Sequence, residues 1–322
     1  ADHHARGQRR WAPGDHPREQ TGRGLMADTR ASTVLEAPPA VAEMNRRRKR
    51  TNALWTAVLV AIMAITLAIL VWVLAYVAIQ GLKYISPQFL TQTPPGNPAQ
   101  GGGGFVNGIV GSIVIVGIAT LISVPIGIAA AVYFVEFGRG RVSRTASFLT
   151  DVMVGVPTIV TGAFVYALWV THFGFSGLAG AIALSIVMLP LVIRTTEEMI
   201  RLVPSEVREA SLALGVSRTR TTLSVLLPTA RAGITTGVML AVARAMGETA
   251  PLLLTALGND LFLQLNPTKR MSTLSLQVFD NAVSGFKAAQ ARAWAGAFTL
   301  IIMVMIFAIG ARLIGRRSAA PN

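Results

Sequence analysis

The chain has 322 residues, 52% of them hydrophobic and only 14% charged, with a mean hydropathy of +0.54. That balance is a membrane protein's and excludes an ordinary soluble domain. The formal net charge of +14 could suggest nucleic acid. Much of it, however, sits at the N-terminus and in loops on one side of the apolar runs, which reads as an orientation signal and not as a nucleic-acid groove. With no cysteine in the sequence, disulfides, thiolate chemistry and cysteine metal sites are excluded.

Residues 1–52 are rich in Arg, Pro, Gly and Ala without apolar periodicity, so disorder is expected there. His3 and His4 lack a third ligand at useful spacing, and a solvated tail is expected in place of a metal site. The sequence does not begin with Met, and Met26 would serve as an alternative start. Arg46, Arg47, Arg48, Lys49 and Arg50 abut the first apolar run; they can touch anionic headgroups, but their plainer role is to hold that end in the cytoplasm. Ala53–Ile79 is long enough as a helix to cross about 30 Å of hydrocarbon. Gln80–Gly104, with Pro94, Pro95, Pro98 and four successive glycines, is expected to be an external loop with a flexible end. No Gly-Lys-Ser/Thr follows those glycines, so they are not a phosphate-binding loop.

Phe105–Val135 is the second expected span. Gly108 with Ser112 and Gly127 with Ala131 put small residues on one face, and Pro125 should kink it. Arg139, Arg141 and Arg144 place Glu136–Ser147 in the cytoplasm, and Glu136 and Asp151 are assigned structural roles. Phe148–Val170, interrupted by Pro157, is the third span, and Leu178–Thr196, containing Pro190, is the fourth. Arg194, Glu197, Glu198 and Arg201 mark a return to the cytoplasm. Ala232–Leu257, with Gly233 and Gly237 as a packing pair, is the fifth span, and Trp294–Ile314 is the sixth. Between the last two lies Gly258–Arg292, long enough for a short helix of its own. The expectation is an all-α membrane protein of six transmembrane helices over 53–315. It has a basic N-terminal tail over 1–52, a short tail over 316–322, and both termini in the cytoplasm.

Ser205–Pro228 is too polar to cross a membrane, yet long apolar runs flank it. Gly215 permits the left-handed turn that ends a helix, and a second short helix is expected from Ser217 to Leu226 with Ser217 as its cap. Residues 197–229 therefore form a helix–Gly–helix elbow on the cytoplasmic face. Charge also lies within the fifth run, where Ala241–Pro251 reads AVARAMGETAP. Arg244 and Glu248 are four residues apart, on one helix face. Intramembrane charges face a pathway or a partner, and the planar fork of Arg suits oxyanions. A purely structural ion pair is the competing explanation.

The elbow resembles the EAA loop of importer-type ABC permeases: Glu-Ala-Ala, three residues, Gly, nine residues, Ile-x-Leu-Pro. Glu209, Ala210, Ser211, Gly215, Val225, Leu227 and Pro228 fall at those spacings, with mild departures at Ser211 and Val225. Arg244, Gly247, Glu248, Thr249, Ala250 and Pro251 are similar to the signature of the phosphate-specific permeases of that class, as are Gly155–Val160 and the segment from Leu189 to Gly215. The resemblance covers residues 55–317 and implies the ABC importer permease fold with a coupling-helix elbow. It also implies a second homologous permease, two copies of an ATPase subunit and an external phosphate-binding protein. Glu209, Ala210, Gly215, Leu227 and Pro228 would then engage the ATPase, and Arg244, Glu248 and Thr249 would line the phosphate pathway. The chain has no Walker motif, so it cannot hydrolyse ATP alone, and no cofactor is expected. The elbow by itself would also fit another oxyanion importer. An ATP-independent secondary transporter would have no use for a docking elbow, and a scaffold that signals phosphate status remains compatible with the sequence.

Overall fold

The computed structural model describes residues 39–138 and 140–317, with side chains over 47–138 and 140–310. Among the described residues every regular element is helical. The chain divides into two units at residues 68 and 69. The described part of the first unit is the opening of α1 (Pro39–Leu82). Most of the tail expected to lack order lies outside the described residues, but 39–52 already belong to α1.

In the second unit, α1 ends after Tyr76 meets Trp294 edge-on, with ring centroids 5.4 Å apart. Then follow α2 (Pro87–Thr91), α3 (Val106–Val132), a five-residue π-helical turn (Tyr133–Phe137) and α4 (Gly140–Gly155). Next come α5 (Thr158–Val165), a second π turn (Tyr166–Val170), α6 (Thr171–Phe173) and α7 (Gly177–Arg201). The elbow helices α8 (Ser205–Ala213) and α9 (Arg218–Thr221) lead through a third π turn (Thr222–Leu226) into α10 (Leu227–Gly247). After α11 (Ala250–Leu253) and α12 (Leu274–Ala282), α13 (Lys287–Arg317) closes the chain.

Among the described residues five helical stretches are long and apolar enough to cross a membrane, Arg47–Leu82, Val106–Phe137, Gly177–Arg201, Arg218–Gly247 and Lys287–Gly310, and the bent pair Gly140–Gly155 with Thr158–Phe173 makes a sixth when taken as one span. The small residues picked out in the sequence do bring helices together. Gly127 of α3 meets Val192 of α7, and Gly233 and Gly237 of α10 meet Met199 and Thr195 of α7. Gly108 and Ser112 serve a different neighbour. Gly108 abuts Gln277, and the Ser112 hydroxyl accepts the Leu274 N–H at 2.8 Å, so that face of α3 receives α12. Phe105, Ile115, Leu184, Met188, Leu252 and Leu274 fill the core between these helices.

Expectations for the fifth span and the second elbow helix are corrected, whereas the third span, Phe148–Val170, is interrupted at Pro157 as expected: it is two helices bent by 106° around Val156 and Pro157. Proline has no N–H to give and pushes the preceding residue out of the helical region, and Gly155 just before it weakens the end of α4. The fifth span, Ala232–Leu257, stops at Gly247: Glu248 is extended (φ −73°, ψ 127°), and Leu257 and Gly258 both have positive φ. The second elbow helix is not a separate piece from Ser217 to Leu226. Its first turn, α9, runs through the π turn into α10, and Ser217 stands at the cap without a side-chain capping bond. The π turn lies immediately before Pro228, where the missing N–H would otherwise break the ladder.

The two segments expected to lie outside are held in place. Gly104 packs directly on the Phe89 backbone, and the Phe105 N–H donates to the Phe89 carbonyl at 2.9 Å, so the end of Gln80–Gly104 is anchored and not loose. Arg292, buried at the start of α13, donates to the carbonyls of Gln100 (2.6 Å) and Pro98 (3.0 Å). Buried Asn107 and Gln277 and half-buried Asp260 form a hydrogen-bonded chain, with Gln277 donating to Asn107 at 2.9 Å and to Asp260 at 2.8 Å.

Candidate functional site

The register of α7 against α10 places Arg244. Because Gly233 faces Met199 and Gly237 faces Thr195 in antiparallel helices, Arg244 falls level with the middle of α7. Its neighbours agree. Arg244 lines a cavity of about 250 Å³ with Met153, Val156, Thr158, Thr161, Val187 and Pro190 among its walls. Arg244 is the one charged residue in that lining. Two chain breaks meet there, the α4–α5 bend and the end of α10. Non-helical backbone at membrane depth is tolerated only where protein buries it or where it borders a cavity. Broken helices at mid-depth are also where transporters hold polar cargo.

The end of α10 sets the local electrostatics. Arg244 lies in its last turn, where the negative end of the helix dipole favours a cation. Glu248 caps the helix and accepts from Arg244 Nε at 3.4 Å. Among the described residues this is the only hydrogen bond Arg244 makes, and the two terminal nitrogens of its fork remain uncommitted. Its side chain is 54% exposed and that of Glu248 17%. The Glu248 carbonyl in turn accepts from Ser275 of α12 at 3.0 Å, which fixes the turn. Thr249 stands at the cap of α11 without a side-chain capping bond, and its carbonyl accepts from Leu252 and Leu253 at 3.1 Å. The structure thus brings Arg244 and Glu248 together, as expected, though by a helix end and not by a shared helix face. Of the cavity walls, Thr158 lies in the Gly155–Val160 run singled out in the sequence, and Thr161 just beyond it was not singled out.

The elbow builds a second surface. α8 ends in a Schellman turn: the Val216 N–H donates to the Ser211 carbonyl at 3.3 Å and the Gly215 N–H to the Leu212 carbonyl at 2.9 Å. Gly215 has φ +78° and open space around its Cβ position, so backbone conformation alone demands glycine here. Ser211, where the family pattern has Ala, is buried and shares a 2.9 Å hydrogen bond with Thr221, tying the two arms together. Glu209, Ala210 and Pro228 are exposed, Leu227 is half-buried, and Leu214 projects with 84% of its surface free.

Glu136, given a structural role from the sequence, is buried, its side chain 1% exposed, and accepts from Arg208 of α8 at 2.6 Å. Nearby, Arg194 of α7 pairs with Asp151 of α4 and with Glu197 at 2.6 Å, and Arg201 closes the group on Glu197 at 2.6 Å.

The fold is that of importer-type ABC permeases. A chain of the MetNI methionine ABC transporter in an inward-facing conformation superposes with a TM-score of 0.57 at 18% identity, covering 67% of this chain and 96% of that one. A bacterial alginate ABC transporter chain gives 0.61 at 13% identity, over 84% and 96% of the two chains. Residues 123–319 match the family model of the binding-protein-dependent transport system inner membrane component. Among curated relatives, the phosphate transport system permease protein PstA of Haemophilus influenzae is 40% identical over 83% of this chain and 94% of its own length. The corresponding protein of Yersinia pestis is 39% identical over 83% and 90%. PstA 1 of Mycobacterium tuberculosis is 37% identical over 88% and 96%. The chain belongs to the binding-protein-dependent inner-membrane transport family and, within it, to the PstA group of phosphate transport permeases.

Proposed function

We propose that the chain is the permease subunit of an ATP-driven inorganic phosphate importer. The observation that carries this reading is Arg244, a cation with two nitrogens uncommitted among the described residues, lining a cavity where two helix breaks meet level with the middle of α7. The first turn of α5 borders the same cavity, and the positive end of a helix dipole favours an anion. Arg244 would hold phosphate, Glu248 would compete for Arg244 when the path is empty, and Thr249 would set the turn between them. The pathway would be completed by a second permease. Glu209, Ala210, Gly215, Leu227 and Pro228 would engage an ATPase subunit, present in two copies, and an external phosphate-binding protein would deliver the ion.

Reconstitution of the chain with those three partners tests the reading. ATP-dependent uptake of radiolabelled phosphate, in preference to sulfate or molybdate, is expected. Preference for another oxyanion would move the chain to a different importer, and equal uptake without the ATPase would make it a secondary transporter.

Both termini and the elbow would lie in the cytoplasm, with Gln80–Gly104 and Gly258–Arg292 outside, on the strength of the Arg and Lys asymmetry. The absence of cysteine allows a direct check. Thr268→Cys should react with an impermeant thiol reagent applied to intact cells, and Ser217→Cys only after lysis. Labelling of Ser217→Cys from outside would overturn the orientation.

A further inference from the structure

Both arms of the elbow converge on one buried carboxylate. Glu136 sits in the π turn that ends α3, and π turns inserted in helices recur at functional sites. Arg208 from the first arm donates to its Oε1 at 2.6 Å. Arg218 from the second arm places Nε 3.9 Å from its Oε2, with the guanidinium 5.9 Å above the Phe137 ring. A buried carboxylate stripped of its cation is costly, so the elbow cannot leave α3 without stranding that charge. The bond to Arg208 is charge-assisted and short, which makes it stiff as well as strong.

The other end of α3 meets α12. There Ser112 accepts from the α12 backbone, and Gly111 packs on the Ser272 carbonyl. One residue further along α12, Ser275 holds the Glu248 carbonyl. Elbow, Glu136, α3, α12 and the Glu248 turn therefore form one continuous packed connection.

We propose that Glu136 is the positioning residue that locks the coupling elbow to α3, so that displacement of the elbow moves α3 and is not absorbed in the loop. This rests on the reading of the elbow as the ATPase-binding surface. In that role Glu136 touches neither phosphate nor ATP; it fixes the ratio of ions moved to ATP consumed.

The test uses the fully assembled transporter in proteoliposomes, with phosphate uptake, ATP hydrolysis and co-purified ATPase measured on the same preparation. Glu136→Gln keeps the shape and one hydrogen bond but loses the charge. ATPase binding and hydrolysis should persist while phosphate moved per ATP falls about tenfold, the factor separating a charged from a neutral hydrogen bond. A merely structural residue would lower complex yield and leave the ratio unchanged. The paired replacement Glu136→Cys with Arg208→Cys keeps the idea testable should Glu136→Gln assemble poorly. Reduced, it should be uncoupled; joined by a short thiol cross-linker, it should regain the ratio. A wild-type ratio in Glu136→Gln, or a cross-linked pair that stays uncoupled, overturns the proposal. Gly215→Val reports on the elbow separately, since a β-branched residue at positive φ should cost ATPase binding itself. Normal ATPase binding by that variant would remove the elbow reading without touching the link between Glu136 and Arg208.

Discussion

Arg244→Gln should abolish phosphate uptake while leaving the permease assembled and its ATPase bound. Phosphate must shed water to enter a narrow path, and the guanidinium fork replaces part of that hydration with directional, charge-assisted bonds. Each such bond is worth about 1.5–3 kcal/mol, so losing the charge alone should cost at least about tenfold in uptake. Assembly should survive because the Arg244 side chain is 54% exposed and its bond to Glu248 is long, at 3.4 Å. Exposed ion pairs of that kind contribute about 0–1 kcal/mol, too little to pin a helix. Arg244→Lys should recover little, since an ammonium keeps the charge but not the planar fork. Glu248→Gln should impair turnover more than recognition, because conduction needs binding weak enough to release the ion. A structural pin predicts the opposite pattern: Arg244→Gln would reduce complex yield, and adding Glu248→Gln would restore it. Normal uptake by Arg244→Gln would remove Arg244 from the pathway.

What was legible in the sequence was what local chemistry controls. Gly215 at the end of α8 is a backbone requirement, and its φ of +78° matches that reason. The Gly233 and Gly237 pair marks close helix approach, and both glycines press on α7. Proline was legible in part: Pro157 was expected to interrupt its span and does, while α3 and α7 continue through Pro125 and Pro190. Neighbouring helices can satisfy the carbonyl a proline frees, and nothing local says which proline has such neighbours. The end of α10 at Gly247 was hidden for a related reason. Leu252, Leu253 and Leu254 keep the run apolar beyond the break, so hydropathy reads straight across it. The partner of Glu136 was not legible, because Arg208 lies 72 positions along the chain. Sequence spacing carries no information about a contact of that range.

The last expectation concerns Gly162, where α5 meets the turn that follows Arg244. A Cβ at Gly162 would lie 2.7 Å from Pro251 Cα and 2.9 Å from its carbonyl oxygen, both backbone atoms with no side-chain freedom to yield. Two effects oppose each other in Gly162→Ala. Alanine gains about 1 kcal/mol of helix propensity over glycine. Overpacking against fixed backbone costs about 1–3 kcal/mol, so the balance is adverse. Relief requires α5 and α11 to separate, which shifts Thr249, whose carbonyl accepts the first α11 bonds, and with it Glu248. Gly162→Ala should therefore slow phosphate uptake several-fold, and Gly162→Leu should abolish it. Phe164→Ala is the comparison, because Phe164, two positions along α5, lines the Arg244 cavity and is largely exposed. That change removes bulk without moving α11, and uptake should fall far less. Uptake and complex yield measured together decide the matter. Normal uptake by Gly162→Leu would show that the α5–α11 contact does not hold the Arg244–Glu248 turn in place.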